Sequence, residues 1–206
     1  MSSVTGSGPE ELVGVGDESL ALSFSELVFS DVSRIRPGTA SWLRVLVRIP
    51  FEPSVPASIL LRAQQCLHRA GRRRLAGALR TLGNRWVGAD FGAGMVVGPG
   101  LLLAHPVGVT MGFGARVGSG VTFAGGVVLA ARYYDADEAV RHGGEQSFPV
   151  VGDGVTLGAH AVLVGGVHVG RNATVGANSV VLSDVPDDTV VLGVPARRVG
   201  KREPTS

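Results

Sequence analysis

The chain has 206 residues, of which 45% are apolar, and a formal net charge of +2. No stretch approaches the ~20 uninterrupted apolar residues of a membrane span, and the charge is too small to argue for a nucleic-acid partner. Cys66 is the single cysteine and the Ser/Gly-rich start, Met1 to Gly8, lacks a basic-then-apolar signal, so the sequence excludes an internal disulfide and reads as cytoplasmic.

In chain order, residues 1–17 are expected to be disordered and residues 18–86 to form a small α-helical N-terminal domain. Helical spacing runs over 18–31, 39–48, 57–70 and 72–86. In the third of these, Ile59, Leu60, Ala63, Cys66 and Leu67 share one face. Prolines at 37, 50, 53 and 56 punctuate the gaps. Arg69, Arg72, Arg73, Arg74, Arg80 and Arg85 read first as a solvated helix face and second as a docking surface for an anion.

From residue 87 the texture changes. Glycine supplies 31 of 206 residues, roughly double the usual share of ~7%, and the glycines crowd into residues 88–176. Counted in sixes from Phe91, apolar residues fall at Phe91, Val97, Leu103 and Val109. After a two-residue slip the count resumes at Val117, Phe123 and Leu129, and after a long interruption at Val151, Leu157, Leu163, Val169, Val175 and Val181. This is a hexapeptide repeat. Each unit makes a short strand and a turn, three units close a triangular coil, and coils stack through parallel backbone hydrogen bonds. The aliphatic residue points into the prism, and small residues serve the corners. The repeat predicts a mainly β fold, a left-handed parallel β-helix over 87–199, with an extruded loop at 131–149 and a tail at 200–206. A βαβ fold would need crossover helices, and residues 87–131 contain none.

The run Val97-Gly-Pro-Gly-Leu-Leu-Leu-Ala-His105-Pro-Val-Gly108, the extruded loop, Val151-Gly-Asp-Gly-Val-Thr-Leu-Gly-Ala, and the ending Gly193-Val-Pro-Ala-Arg-Arg-Val-Gly200 resemble serine O-acetyltransferase over about residues 57–202. The resemblance implies an acyltransferase that uses acetyl-CoA as co-substrate, without a metal, on a small hydroxylated acceptor. His105 stands at the family's general base, and Asp90, fifteen residues upstream, at the carboxylate that orients its ring. It implies a homotrimer, with pairing of trimers left open, and acetyl-CoA in a groove between subunits. The pantetheine arm would meet corner amides near Ala131, Ala159 and Ala177, and Arg197, Arg198, Lys201 and Arg202 would meet the CoA phosphates.

The acceptor pocket departs from the family. Ala104 stands where the family carries Asp before the base, Ser147 and Phe148 stand for an Arg-His pair, and Arg36 stands for an acidic residue before proline. Ala104, Phe148 and a substitute histidine, His142, are the acceptor-side candidates. Losing several charged partners is incompatible with gripping a zwitterion, so an acceptor other than free serine is expected. Three rivals remain: a sugar or xenobiotic acyltransferase of the same repeat class, a β-helical metalloenzyme, and a catalytically inactive scaffold that assembles with a partner enzyme. The second needs a close histidine pair, whereas His160 and His168 are eight apart.

Overall fold

The computed structural model describes residues 15–38, 41–132 and 148–202. A 3-10 turn at Asp17–Leu20 precedes four helices, α1 (Phe24–Ile35), α2 (Trp42–Arg48), α3 (Ser54–Arg69) and α4 (Arg73–Val87). The helical pattern expected over 18–31 is therefore split at Ser23, and the cause is local. The Ser23 hydroxyl accepts the Glu26 N–H while the Glu26 carboxylate accepts the Ser23 N–H at 2.8 Å, a complete capping box. The Ser23 hydroxyl and amide together hold the Glu26 carboxyl below the usual carboxylate range. Helix α3 starts before the expected residue 57, with Pro56 inside its first turn. A first-turn N–H has no partner within its helix, so proline loses nothing there.

The rest of the chain builds three sheets of very short strands. These are β1 (Asp90–Phe91), β2 (Val96–Val97), β3 (Leu102–Leu103), β4 (Thr110–Met111), β5 (Arg116–Val117), β6 (Thr122–Phe123), β7 (Val128–Ala130), β8 (Val150–Val151), β9 (Thr156–Leu157), β10 (Val162–Val164), β11 (His168–Val169), β12 (Thr174–Val175), β13 (Val180–Val181), β14 (Thr189–Leu192) and β15 (Arg197–Lys201). Every third strand pairs in parallel: β1-β4-β7-β10-β13 form the first face, β2-β5-β8-β11 the second, and β3-β6-β9-β12-β14 the third. This is the left-handed parallel β-helix that the repeat predicts. All the apolar positions counted in sixes are buried, at 2% exposure or less.

One register differs from the expectation. Phe91, Met111, Leu129, Leu163 and Val181 align across the first face, so the inward strand position belongs to Met111 and not to Val109. Val109 is buried at the end of the preceding corner, where its N–H donates to the Pro106 carbonyl. The two-residue slip therefore lies between Leu103 and Met111, in the corner that carries His105. Sequence periodicity could not separate the positions because both hold apolar residues.

Helix α3 closes the lower end of the prism, and its buried face is not the one expected. Leu60 and Leu61 join the core, while Cys66, Leu67, Ile59 and Ala63 are only half-buried; Arg62, Gln64 and Gln65 are buried instead. The lowest coil has no coil beneath it to take its backbone groups, so α3 supplies side chains to do so. The Gln64 amide donates to the Phe91 carbonyl, and the Arg62 guanidinium donates to the Val97 and Gly98 carbonyls at 2.6 and 2.7 Å. Arg62 also forms a two-pronged pair with Asp31 of α1, both bonds 2.8 Å, and Asp31 accepts the Leu101 N–H at 2.9 Å.

The upper end is closed by the chain itself. Arg197–Lys201 fold back as β15, antiparallel to β14, taking in Gly200 and Lys201 of the expected tail, and Arg202 donates to the Gly154 and Asn172 carbonyls. The described part of the C-terminus is thus pinned to the third face. No helix among the described residues is long and apolar enough to cross a membrane.

Candidate active site

The corners between the third and first faces stack into one edge. The Gly108 N–H donates to the Gly88 carbonyl, Gly126 N–H to Val107, His160 N–H to Gly125 and Asn178 N–H to Ala159, so each corner sits on the one below. Leu103 to Met111 spans two residues more than Phe123 to Leu129, Leu157 to Leu163 or Val175 to Val181. The extra length pushes Ala104 and His105 out of the prism wall, and both are exposed. Among the described residues His105 makes no hydrogen bond, and Ser54 at the start of α3 bonds the neighbouring Ala104 carbonyl at 3.4 Å.

Asp90 begins β1, on the first face beside this edge, and pairs in register with Thr110. Its carboxylate is taken up by α4: Arg80 Nε and Nη2 donate to its two oxygens, the second at 2.7 Å. The Asp90 partner raises the already high Arg80 guanidinium further. No hydrogen bond joins Asp90 to His105, so the dyad that the resemblance implies is not formed in this structure. Asp90 prefers Arg80 here because a guanidinium offers two parallel donors to a carboxylate and a neutral imidazole offers one. Arg80 belongs to the arginine cluster that the sequence reads as a solvated face or an anion-docking surface, and nothing in the sequence links it to Asp90. Gly77, Arg80, Thr81, Asn84, Arg85 and Asp90 line an open cleft of about 500 Å³ along α4.

The other sequence candidates divide between edges. Ala159 and Ala177 lie on the His105 edge, one and two coils above Gly125, and their N–H groups have no acceptor among the described residues. Ala131 is buried and follows β7 at the opposite side of the first face, so it does not join them. Phe148 lies on that opposite edge too, just before β8. Its ring fills the space above Gly112 and Gly114, where a Cβ would collide with it, and meets Phe113 edge-on at 4.7 Å. Arg197, Arg198 and Lys201 are exposed on β15. Arg36 is paired with Glu52 at 3.2 Å. His142 and Ser147 lie outside the described residues.

Among the described residues no group of three or more His, Cys, Asp or Glu side chains could hold a metal ion. His160 belongs to the His105 edge and His168 to the second face.

A prism of stacked hexapeptides with an outward histidine at a lengthened corner is the architecture of the hexapeptide-repeat class. The family described as bacterial transferase hexapeptide (six repeats) matches residues 148–183. Serine acetyltransferase of Helicobacter pylori is 32% identical over 149 residues, covering 72% of this chain and 82% of that protein. Serine acetyltransferase of Mycobacterium tuberculosis is 35% identical over 153 residues, 74% of this chain and 63% of that one. The structure of Brucella abortus serine acetyltransferase in complex with coenzyme A superposes with a TM-score of 0.76 at 26% identity, covering 88% of this chain and 70% of that one. The chain belongs to the serine acetyltransferase family. It spans 63% of the length of the M. tuberculosis protein, and 42% and 36% of two Arabidopsis thaliana serine acetyltransferases.

Proposed function

We propose that the chain transfers an acetyl group from acetyl-CoA to a small hydroxylated acceptor other than free serine, with His105 as general base. The observation that carries the reading is the lengthened corner, which turns an imidazole outward on an edge with unengaged backbone amides. His105 takes the acceptor hydroxyl proton as the oxygen attacks the thioester carbonyl, and the imidazolium returns it to the departing CoA thiolate. Free amides of Ala159 and Ala177 suit the carbonyls of a pantetheine arm running up that edge. Arg197, Arg198 and Lys201 are exposed cations suited to its phosphates. Asp90 supplies negative charge next to the same edge, tempered by Arg80.

The assembly we infer is a trimer through the first face. Its outward positions carry Asp90 and Thr110 on the lower coils and Val128, Ala130, Val162, Val164 and Val180 above them, whereas the second face presents Val96, Arg116, Val150 and His168 and the third Leu102, Thr122, Thr156, Thr174 and Val190. Subunits joined there would set the His105 edge of one beside the Phe148 edge of the next.

The altered acceptor follows from the residues at the three matching positions. Ala104 adjoins the base, Phe148 is seated on two glycines, and Arg36 is already paired. Among the described residues, serine's ammonium and carboxylate find none of the partners that the resemblance implies, and a site lacking them discriminates strongly against such a ligand. CoA release measured across a panel of hydroxy and amino compounds, serine among them, is expected to rank another acceptor first. If serine were the best substrate by a wide margin, the altered-pocket reading would fail while the transferase reading stood.

A further inference from the structure

Five stacked corners of the His105 edge place a residue in the left-handed region: Gly88 (φ 72°), Gly108 (76°), Gly126 (69°), His160 (57°) and Asn178 (56°). Glycine and asparagine are ordinary there. His160 is the one member of the column with a ring. The Gly126 beneath it has no freedom to change, because a Cβ would fall on the imidazole. The ring therefore hangs down over the coil below its own. Gly125 in that lower coil accepts the His160 N–H at 2.8 Å and lies directly above His105, where a Cβ would stand 3.3 Å from the His105 Cβ. The His160 ring thus ends about one coil spacing, ~4.8 Å, above the corner of the proposed base. The surface between them is the bare Gly125-Gly126 backbone. Both histidines are exposed, and neither side chain is hydrogen-bonded among the described residues.

We propose that His160 is a further binding residue for the acyl-CoA, its ring packing on the cysteamine–thioester end of the pantetheine arm and donating an N–H to a carbonyl of that arm. The proposal rests on the reading of the His105 edge as the thioester site. It explains why a ring occupies a position that Gly fills in the three corners below. Gly125, which carries no side chain, lies between the ring and His105, and the Ala159 amide adjoins it.

The test is His160→Gly, with His160→Asn as the second variant. Glycine takes the left-handed conformation without strain, so the fold is kept and the thermal midpoint is equal or higher. Losing one hydrogen bond and the ring contact is expected to raise the acetyl-CoA KM and the calorimetric Kd for CoA about tenfold, with the loss falling on KM and not on kcat. Asparagine, which keeps the backbone and a donor, should lie between. Unchanged KM and Kd in His160→Gly would reduce His160 to a corner residue and overturn the proposal alone. A wild-type chain that binds no CoA would overturn it together with the transferase reading.

Discussion

His105→Ala lowers turnover at least ~100-fold, the least that a positioned general base typically contributes. The loss is expected in kcat, measured by CoA release at saturating acetyl-CoA, with CoA affinity and subunit assembly nearly unchanged. The reason lies in the corner. His105 is exposed, bonds to no described residue and leaves the core untouched, so alanine removes the base without removing packing. The neighbouring contacts are backbone ones: Ser54 to the Ala104 carbonyl below, and Gly125 against the His105 carbonyl and Cβ above. Calorimetric CoA binding and gel filtration separate a lost base from a lost fold. Full turnover in this variant would leave the edge without its proposed chemistry.

The second large effect concerns stability. Arg62→Ala is expected to destabilise the protein by about 3–5 kcal/mol, the range found when one partner of a buried ion pair is removed. Arg62 and Asp31 both have no exposed side-chain surface. Alanine strands the Asp31 carboxylate away from water and leaves the Val97 and Gly98 carbonyls without donors. The pair should not be read as a large net gain, because desolvation of two charges offsets much of their attraction; the loss comes from leaving one charge alone. Arg62→Met with Asp31→Leu is therefore expected to be less destabilised than either single change. Denaturation must be followed at fixed protein concentration, since the proposed subunit association would enter the apparent stability. A single substitution within ~0.5 kcal/mol of wild type, the range of an ordinary surface change, would show that α3 is not held to the prism by this pair.

Asp90 illustrates where a pattern of residues and a structure diverge. Its spacing from His105 matches the family, yet its carboxylate bonds to Arg80, ten residues upstream on α4. The motif spacing points Asp90 at His105, and the arginine pattern of α4 points Arg80 at solvent or an anion. The docking of α4 along β1 brings the guanidinium to the acid instead.

The hexapeptide period alone specified the prism. It is a local signal, repeated coil after coil, and each aliphatic residue that obeys it is buried because three strands per turn leave one inward direction. The same regularity revealed the interruption at 131–149 and, through its two-residue slip, something unusual near His105. Tertiary structure alone decided what depends on docking. It buried Arg62, Gln64 and Gln65 where helical spacing pointed to Ile59, Ala63, Cys66 and Leu67, because only the assembled prism has an open lower end whose backbone groups need partners. It gave Asp90 to Arg80, put Phe148 and Ala131 on a different edge from Ala159 and Ala177, and set His160 over Gly126. Each of those contacts joins residues whose separation in space follows from stacking and helix placement, quantities that no periodicity along the chain encodes.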